Sequence, residues 1–303
     1  MLILIDGPER SGKTTIANAM HDNHGATIRH WGPIDPDDRV YTPYLQQDIA
    51  SNKLTVWDRA WPAEYVYATL LHRDRRLRDD AWLGEWIHGR AVASYGARAI
   101  ILGPSVERLA ALRTDDDLPV DPGQERELYE EYGHRFGYEV YEQQHTPEAA
   151  RSVAQILAYH AVDQRKAMNR VGATDPSILA GGTMSPILVV GEKKATQPTI
   201  PGSWLPFSSR LATEFARTFF GDDAIKVAWS NANECPLAYA RAPWVKAIIA
   251  CGKIAQKWAV FTVQDKPVIN VPNPAWLLRF KRGGEEAENV KRKIRAVLKQ
   301  LVG

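Results

Sequence analysis

The chain has 303 residues, of which 45% are hydrophobic and 24% are charged, values typical of folded globular proteins rather than of disordered chains. Its two cysteines, Cys235 and Cys251, are too few for a four-cysteine zinc or iron–sulfur site. No apolar run is long enough to cross a bilayer, and Met1 leads into an apolar segment without a basic leader. We therefore expect a soluble cytoplasmic protein with reduced thiols and no membrane partner.

Short apolar runs and helical patterns alternate along residues 1–170. Strands are predicted at Leu2–Asp6, Ala26–Ile28, Leu54–Trp57, Ala99–Leu102 and Tyr138–Tyr141. Helices are predicted at Lys13–Met20, Pro62–Leu71, Ala81–Ser94, Val106–Arg113 and Glu125–Arg135, with a further helix opening at Thr146. This alternation predicts an α/β domain built on a parallel, doubly wound sheet.

The first turn of that domain carries a phosphate-binding motif. The segment 7–14, GPERSGKT, fits G-x-x-x-x-G-K-[ST] at every fixed position, directly after a buried strand and directly before a helix. In such a P-loop, backbone N–H groups and the helix N-terminus surround the β-phosphate. Lys13 would reach the β- and γ-oxygens, and the hydroxyl of Thr14 would ligate Mg²⁺. The sequence therefore predicts binding of ATP with Mg²⁺.

Composition and charge change in the second part of the chain. Residues 171–185 are rich in Gly, Thr, Pro and Ser and are predicted as a linker between a first domain, 1–170, and a second, 186–303. Residues 1–180 carry 20 Lys and Arg against 27 Asp and Glu, whereas residues 181–303 carry 18 against 9. A basic balance of +9 favours a polyanionic partner such as DNA, although a merely solvated surface would look the same.

The second part repeats the strand and helix signals. Strands are predicted at Pro186–Val190, Lys226–Trp229 and Val268–Val271, and the apolar runs Trp244–Ala250 and Lys257–Val263 could each form another. Ser209–Phe220 is predicted as a helix. A terminal helix is predicted from an apolar stripe formed by Val290, Ile294, Val297, Leu298 and Leu301. A second α/β domain follows from this pattern.

Residues 1–160 resemble the thymidylate kinase-like branch of the nucleotide kinases, including its phage relatives. The resemblance is carried by the Glu9-Arg10 pair inside the P-loop, by Asp58-Arg59 followed by the segment EYVY at 64–67, and by the arginine-bearing helix Glu107–Arg113. It implies an ATP phosphotransferase acting on a pyrimidine deoxynucleotide in the cytoplasm, or in the host cytoplasm if the chain is phage-encoded. On this resemblance Arg10 stabilises the transferred phosphoryl group and Glu9 meets the acceptor sugar.

The same resemblance assigns the remaining site residues. Asp58 and Arg59 would handle the metal and the acceptor phosphate, although the pair could equally be an ordinary structural ion pair. The catalytic set is then Lys13, Arg10, Glu9, Asp58 and Arg59, the metal ligands are Thr14 and Asp58, and the ATP-binding set is Gly7, Ser11, Gly12, Lys13, Thr14, Thr15 and Arg113. Further candidates for gripping an acceptor anion are Arg73, Arg75, Arg76 and Arg78. One departure is that the lid range, residues 114–125, is acidic where the family carries arginines. Closure over ATP would then depend on Arg108, Arg113 or Arg126, or would differ in detail from that of the family.

Residues 186–303 resemble the uracil-DNA glycosylase superfamily. The motifs are VVGE at 189–192, Pro206-Phe207, Ser230-Asn231 with Cys235-Pro236, the turn ACGK at 250–253, and Asn273-Pro274-Ala275. The resemblance implies base reading by Glu192, Phe207, Asn231 and Asn273. It departs where the family has an electrophilic histidine, because Asn273 stands there and would stabilise a base anion less well.

Three interpretations remain open at this stage. The first is a kinase for a pyrimidine deoxynucleotide, free or within DNA, with a 5-hydroxymethyl pyrimidine of phage DNA as one acceptor and the second domain as base reader. The second is a bifunctional kinase and base glycosylase. The third is a DNA-binding protein that uses ATP as a conformational switch. The sequence leaves the acceptor base and the oligomeric state undecided.

Overall fold

The structure, a computed structural model, describes most of the chain. The described residues are 1–31, 41–51, 53–72, 81–94, 98–142, 146–173, 175, 177–182, 184–192, 205–280 and 283–302. The arginines predicted at positions 73, 75, 76 and 78 to grip an anion lie outside these residues.

Ten strands are found in these ranges. They are β1 (Leu2–Asp6), β2 (Thr27–His30), β3 (Thr55–Asp58), β4 (Arg98–Leu102), β5 (Glu139–Tyr141), β6 (Leu179–Gly181), β7 (Ile187–Gly191), β8 (Ala228–Asn231), β9 (Ala247–Cys251) and β10 (Val268–Val271).

The same ranges contain thirteen α-helices. They are α1 (Lys13–His24), α2 (Tyr41–Ala50), α3 (Trp61–Leu70), α4 (Ala81–Gly84), α5 (Arg90–Ser94), α6 (Val106–Leu112), α7 (Pro122–Phe136), α8 (Pro147–Arg170), α9 (Arg210–Phe220), α10 (Leu237–Ala240), α11 (Lys253–Thr262), α12 (Pro274–Phe280) and α13 (Glu285–Leu301). A π-helical turn, Glu85–Gly89, joins α4 to α5, and a 3₁₀ turn, Gly221–Ile225, follows α9.

The chain divides into two compact units. The first contains Met1–Glu85 and Gly96–Arg165, and the second contains Trp86–Tyr95 and Lys166–Gly303. The segment Trp86–Tyr95 therefore groups with the second unit, although it falls within the range 1–170 predicted as the first domain. The range predicted as a linker, 171–185, includes strand β6.

The first unit is built on a parallel sheet of five strands in the order β2-β3-β1-β4-β5. Every residue of the central strand β1 is buried, as its unbroken apolar sequence predicts for a strand covered on both faces. Ile3 pairs with Val56 on one side and with Arg98 on the other. This register brings the carboxyl ends of β1 and β3 to the same edge, where ligands bind in open α/β sheets.

The second unit has its own five-stranded sheet, in the order β10-β9-β7-β8-β6. Strands β7 to β10 are mutually parallel, and β6 pairs antiparallel with β8 at one edge. Every residue of β7, β8 and β9 is buried, as is typical of the inner strands of a parallel sheet. The carboxyl ends of the four parallel strands again share one edge.

Most of the predicted elements are confirmed within a few residues. The five strands of the first unit lie where the apolar runs place them, and Ser105 caps α6 by accepting a hydrogen bond from Arg108 N at 3.3 Å. In the second unit, the predictions for β7, α9, β9, β10 and α13 hold. Four short elements were not predicted, because their sequences show no clear helical or strand pattern: α2, β6, α10 and α12.

One predicted strand is wrong. The range Lys257–Val263 lies almost entirely in helix α11, which buries Ala255 and Ala259 while Val260 and Phe261 remain 60% and 70% exposed. The run looks apolar only because exposed large residues adjoin the small buried ones. A helix is needed here because β9 and β10 are parallel and must be joined by a crossover.

Two expectations from composition can be compared with the structure. None of the helices among the described residues is long and apolar enough to span a membrane. Cys235 and Cys251 are both free and buried, and burial raises the pKa of Cys235 to about 12. Neither thiol is therefore disposed to react as a thiolate.

Candidate functional sites

The P-loop connects β1 to α1 at the carboxyl edge of the first sheet. Gly7 has φ +143°, and a Cβ there would lie 2.5 Å from the carbonyl oxygen of Leu102. Gly12 has φ +91° and precedes the first helical residue. Both positions therefore need glycine, one for a close backbone approach and one for a left-handed turn.

Lys13 is folded over this loop and is only 5% exposed. Its Nζ donates hydrogen bonds to the carbonyl oxygens of Gly7 at 2.8 Å and Pro8 at 2.6 Å, and lies 3.3 Å from Ser11 Oγ. Burial lowers the pKa of Lys13 to about 8, and the positive charge of Arg59 adds to the effect. An ammonium held this way has little water to lose when it binds an anion.

The side chain of Thr14, the residue after Lys13, contacts Asp58. Thr14 Oγ1 donates to Asp58 Oδ2 at 2.7 Å, and His30 Nδ1 lies 3.1 Å from the same oxygen. Asp58 is 1% exposed, and its other oxygen, Oδ1, has no hydrogen-bond partner among the described residues. A buried carboxylate oxygen with spare lone pairs beside a hydroxyl is the kind of donor set that Mg²⁺ takes together with phosphate oxygens. The residues present therefore fit the predicted metal, although no group of three or more His, Cys, Asp or Glu suited to a metal occurs among the described residues.

The side chain of Glu9, in the P-loop, lies close to that of Arg59. Arg59 NH2 is 3.5 Å from Glu9 Oε1, and Glu9 Oε2 accepts from Leu118 N at 3.2 Å. Arg59 adopts φ +71°, which is uncommon for a residue with a side chain. Its Nε is buried and makes no hydrogen bond with a described residue, so the guanidinium retains donor capacity for an anion.

Arg10 forms hydrogen bonds with residues of the acidic range 114–125, the range whose composition differs from that of the kinase family. Its Nε and NH2 donate to Asp117 Oδ1 at 3.0 and 2.8 Å, and NH2 also donates to Thr114 Oγ1 at 3.0 Å. Arg10 itself has φ +63°. The P-loop arginine and the 114–117 turn are therefore joined in this structure.

Arg113 is turned toward the protein rather than toward the loop. Its guanidinium donates to the carbonyl oxygens of Leu118 at 3.0 Å and Val120 at 2.5 Å, and pairs with Glu125. In place of Arg113, helix α6 presents Arg108 and Leu112 to the pocket described below.

A pocket of about 540 Å³ opens over the P-loop. Its lining combines the loop with neighbouring cations: Glu9, Arg10, Ser11, Gly12, Lys13, Thr14, Thr15, Arg59, Arg108, Leu112 and Asp117. Four basic side chains line it against two carboxylates, so the pocket suits an anionic ligand. The structure thus brings most of the predicted ATP-binding and catalytic residues of the first unit together.

Two buried carboxylates that hold this site were not singled out from the sequence. Asp6 accepts from Gly7 N through Oδ1 at 2.9 Å, and from Ala60 N and Ala63 N through Oδ2 at 3.0 and 3.2 Å. It thereby ties the start of the P-loop to the start of α3. Its position directly after an apolar strand and before the motif glycine is the signal that could have found it.

Glu125 is the second of these carboxylates. It is fully buried and accepts from Glu9 N at 2.8 Å and from Tyr67 OH at 2.6 Å, in addition to its pair with Arg113. One carboxylate therefore joins the P-loop backbone, helix α3 and the end of α6. The sequence placed it only in an acidic range, because contacts at such separation along the chain leave no local pattern.

The four residues predicted to read a base lie in or around the carboxyl edge of the second sheet. Glu192 follows β7, Asn231 ends β8 and Asn273 follows β10. Asn273 Nδ2 donates to Glu192 Oε2 at 2.9 Å, and Asn273 Oδ1 accepts from Ala275 N at 2.9 Å, which caps α12. Part of the hydrogen-bonding capacity of Asn273 is therefore used within the protein.

Phe207 and Asn231 are neighbours at Gly191. A Cβ at Gly191 would lie 2.8 Å from the Phe207 ring and 3.2 Å from Asn231 Oδ1. Both side chains are nearly buried, at 7% and 2% exposure, and Asn231 Nδ2 is 3.2 Å from Glu234 Oε2. Glycine at 191 is what allows the ring to approach this strand end.

No protein-family model and no curated protein matches this chain. Among solved structures, the YorR protein of Bacillus subtilis in complex with phosphorylated GDP is 16% identical, with a TM-score of 0.42 over 55% of this chain and 98% of that one. The deoxyadenosine kinase of M. mycoides with bound dCTP is 14% identical, with a TM-score of 0.33 over 54% and 99%. A putative polyphosphate kinase 2 of Pseudomonas aeruginosa is 12% identical, with a TM-score of 0.37 over 99% and 70%. Resemblances this distant carry no argument about substrate or mechanism.

Proposed function

We propose that the chain is an ATP-dependent phosphotransferase whose reaction takes place in the pocket of the first unit. One observation carries the proposal: Thr14, on the wall of that pocket, binds Asp58, whose second carboxylate oxygen is buried without a partner among the described residues. A P-loop beside a spare carboxylate oxygen is the arrangement that a nucleoside triphosphate with Mg²⁺ requires.

The loop residues act on the phosphates of ATP. Backbone N–H groups at the start of α1 bind the β-phosphate, and Lys13 exchanges its carbonyl partners for β- and γ-oxygens. Thr14 and Asp58 would hold Mg²⁺, which when bound neutralises charge on the phosphates. Arg10, once separated from Asp117, stabilises the charge of the transferred phosphoryl group.

The acceptor supplies a hydroxyl or phosphate oxygen to the γ-phosphorus. The bond between the γ-phosphorus and the oxygen that bridges it to the β-phosphate breaks and ADP leaves. If the acceptor is a hydroxyl, its proton passes to the surrounding water. Arg59 has a buried Nε available for an acceptor anion and Glu9 lies beside it, so these two residues position the acceptor.

We propose that the acceptor is a pyrimidine deoxynucleotide, and that the preferred form is a 5-hydroxymethyl pyrimidine within DNA. Two features of the second unit support a base in DNA: the excess of nine positive charges over residues 181–303, and the location of Glu192, Phe207, Asn231 and Asn273 around one strand edge. A domain that binds an unstacked base reads its polar edge with such side chains and stacks its face on a ring. Basic residues supply the sequence-independent affinity for phosphates.

The test is a transfer assay with γ-labelled ATP and Mg²⁺. The acceptors are dTMP, dUMP, 5-hydroxymethyl-dUMP, and DNA duplexes that contain thymine, uracil or 5-hydroxymethyluracil at one position. We expect label on the 5-hydroxymethyluracil duplex and none with Lys13→Ala, whereas Lys53→Ala, at an exposed position, retains activity.

Each other outcome identifies a different function. Label on free nucleotides alone would make the enzyme a nucleotide kinase and remove the role of the second unit as a reader. Release of free base would indicate a glycosylase. Binding of DNA that responds to ATP without any transfer would indicate an ATP-switched DNA-binding protein and overturn the proposal.

A further inference from the structure

Phe207, in the second unit, adopts a backbone conformation that needs support. Its φ is +58°, in the left-handed region that residues with a bulky side chain rarely occupy. Such outliers persist only where the surroundings fix them, and they concentrate at functional sites. The contacts of Phe207 and of the residue before it therefore show how the conformation is held.

The peptide group that precedes Phe207 is fixed by a buried arginine. Arg90 NH1 donates to the carbonyl oxygen of Pro206 at 2.9 Å. This carbonyl belongs to the peptide plane that ends at Phe207 N, so its orientation sets the torsion about the N–Cα bond of Phe207. The bond from Arg90 thus acts on the torsion that is unusual.

Arg90 is itself held by a tryptophan. Its guanidinium carbon lies 3.4 Å from the ring centroid of Trp86, and its Nε donates to the carbonyl oxygen of Trp86 at 2.8 Å. Trp86 Nε1 donates to Thr213 Oγ1 at 3.1 Å, which anchors the indole to α9. Both residues belong to the segment Trp86–Tyr95, which groups with the second unit.

The ring of Phe207 continues the same cluster. It packs on Trp229 with centroids 4.8 Å apart, and Trp229 packs edge-on against Trp86 at 5.1 Å. The ring also lies close to Gly191, the residue that adjoins Asn231 Oδ1. The packing of Trp86 and Trp229 therefore fixes the position of the Phe207 ring relative to the side-chain amide of Asn231.

Burying the guanidinium of Arg90 costs more free energy than burying an apolar side chain that only fills space. It is fully buried, and this burial lowers the pKa of Arg90 well below its ordinary value. An apolar side chain of similar volume would fill the space without the expense of desolvating a charge. An apolar residue could not donate the hydrogen bonds that Arg90 makes to the carbonyl oxygens of Trp86 and Pro206, and the second of these orients the peptide group before Phe207.

We propose that Arg90, stacked on Trp86, is a positioning residue that holds Phe207 in its left-handed conformation, so that the ring stacks on a pyrimidine whose edge Asn231 reads. The inference rests on the base-reading role proposed for the second unit. The segment Trp86–Tyr95, which lies within the range predicted as the first domain, thereby has a function in the base site of the second unit.

The experiment measures how much of the DNA affinity depends on the base. Fluorescence anisotropy gives the dissociation constants for a duplex with one 5-hydroxymethyluracil and for the same duplex with an abasic analogue at that position. The readout is the ratio of the two constants. Since stacking on an aromatic ring contributes about ten- to a hundredfold per base, we expect a wild-type ratio of at least that size and a ratio lower by about that factor for Phe207→Ala.

The arginine is tested by a double-mutant cycle. Arg90→Lys keeps a charge but cannot stack and bond in the same geometry, so we expect it to lower the ratio by about tenfold. In the Phe207→Ala background the same substitution should cause no further loss, because the two residues act through one ring. Arg210→Lys, at an exposed arginine at the start of α9, serves as the matched control and should leave the ratio unchanged.

The outcomes separate this inference from the proposed function. A wild-type ratio of one would overturn base reading by the second unit, and this inference with it. A high wild-type ratio that Phe207→Ala lowers but Arg90→Lys preserves would overturn only the role of Arg90. Equal weakening of both duplexes, or additive losses in the double variant, would also overturn it. If Arg90→Lys does not fold by circular dichroism, Trp86→Phe replaces it in the cycle, with the same expectation and the same contradictory results.

Discussion

Arg10 and Asp117 form a bidentate ion pair on the wall of the P-loop pocket. The nearest contacts are 2.8 Å from NH2 and 3.0 Å from Nε to Asp117 Oδ1, while the side chain of Arg10 remains 43% exposed. The neighbouring carboxylate raises the pKa of Arg10, and hydrogen bonds from Arg10 lower the pKa of Asp117. Asp117, in the acidic range 114–125, thus supplies a counter-ion for the arginine that is proposed to bind a phosphate of ATP.

Asp117→Asn should make Arg10 easier for ATP to recruit. The triphosphate and Asp117 compete for the same guanidinium, so removing the carboxylate charge should lower the KM for ATP by about two- to fivefold, the modest effect expected of an exposed pair. Initial rates at several ATP concentrations measure this. Asp115→Asn is the control, because it removes a charge from the same turn and leaves the pair of Arg10 with Asp117 in place. A higher KM in Asp117→Asn would mean that the pair organises the ATP-bound loop instead.

Asp58→Asn should raise the Mg²⁺ concentration that the reaction requires. The substitution keeps the size of the side chain but replaces an anionic ligand with a neutral amide, and even second-layer partners of metal ligands contribute about 10- to 100-fold in affinity. We therefore expect the half-saturating Mg²⁺ concentration at fixed ATP to rise at least about tenfold. Thr14→Ser, which retains the hydroxyl beside Asp58, should shift it little. An unchanged Mg²⁺ dependence in Asp58→Asn would remove Asp58 from the metal site.

The sequence predicted the strand, turn and helix around the P-loop motif because the pattern that determines them is local. A fixed spacing of glycines, Lys13 and Thr14 between a strand and a helix determines the backbone that binds phosphate, and the apolar run before it determines β1. The partners of these residues were less accessible. Asp117 and Glu125 lie more than 100 residues from the loop residues that they bind, and nothing in their own neighbourhood distinguishes a buried acceptor from a solvated charge.

The second unit also has features that the local sequence could not predict. Apolar runs predicted most of its strands, but the run Lys257–Val263, which could have formed a strand, lies almost entirely in helix α11 and leaves Val260 and Phe261 exposed. The positive φ of Phe207 and its support by Arg90 could not be predicted, since the two residues are far apart in the chain and neither is part of a turn motif.

Glu85→Leu should destabilise the first unit strongly. A single oxygen of Glu85, Oε1, accepts from Trp61 Nε1 at 2.6 Å, Tyr132 OH at 2.6 Å and Tyr138 OH at 2.7 Å. Leucine would leave these three buried or half-buried donors without their acceptor, at a cost of about 3 kcal/mol or more in the free energy of unfolding. Urea denaturation compares this variant with Glu85→Gln, which retains an acceptor oxygen and should lose about 1 kcal/mol or less. Equal losses in the two variants would mean that the carboxylate charge, rather than the acceptor, stabilises the cluster.

Asp6 should make the stability of the protein depend on pH in a defined direction. Burial raises the pKa of Asp6 from 3.8 to about 6, so between these values the folded protein holds a proton that the unfolded chain has lost. Stability falls with rising pH wherever the folded state binds more protons, so this carboxyl favours the folded state near pH 4 and loses that contribution as the pH rises to about 6. A shift of about two units corresponds to about 3 kcal/mol.

The measurement is the free energy of unfolding of the wild type and of Asp6→Asn between pH 4 and pH 8. Asparagine does not titrate, so the stability of the wild type relative to the variant should decline by about 3 kcal/mol between pH 4 and pH 6, and the difference should be constant above about pH 7. Asp22→Asn, at an exposed position of α1, provides the control and should run parallel to the wild type. Parallel curves for Asp6→Asn would mean that its three backbone hydrogen bonds offset the burial of the charge and that the loop is held by an ionised Asp6 throughout.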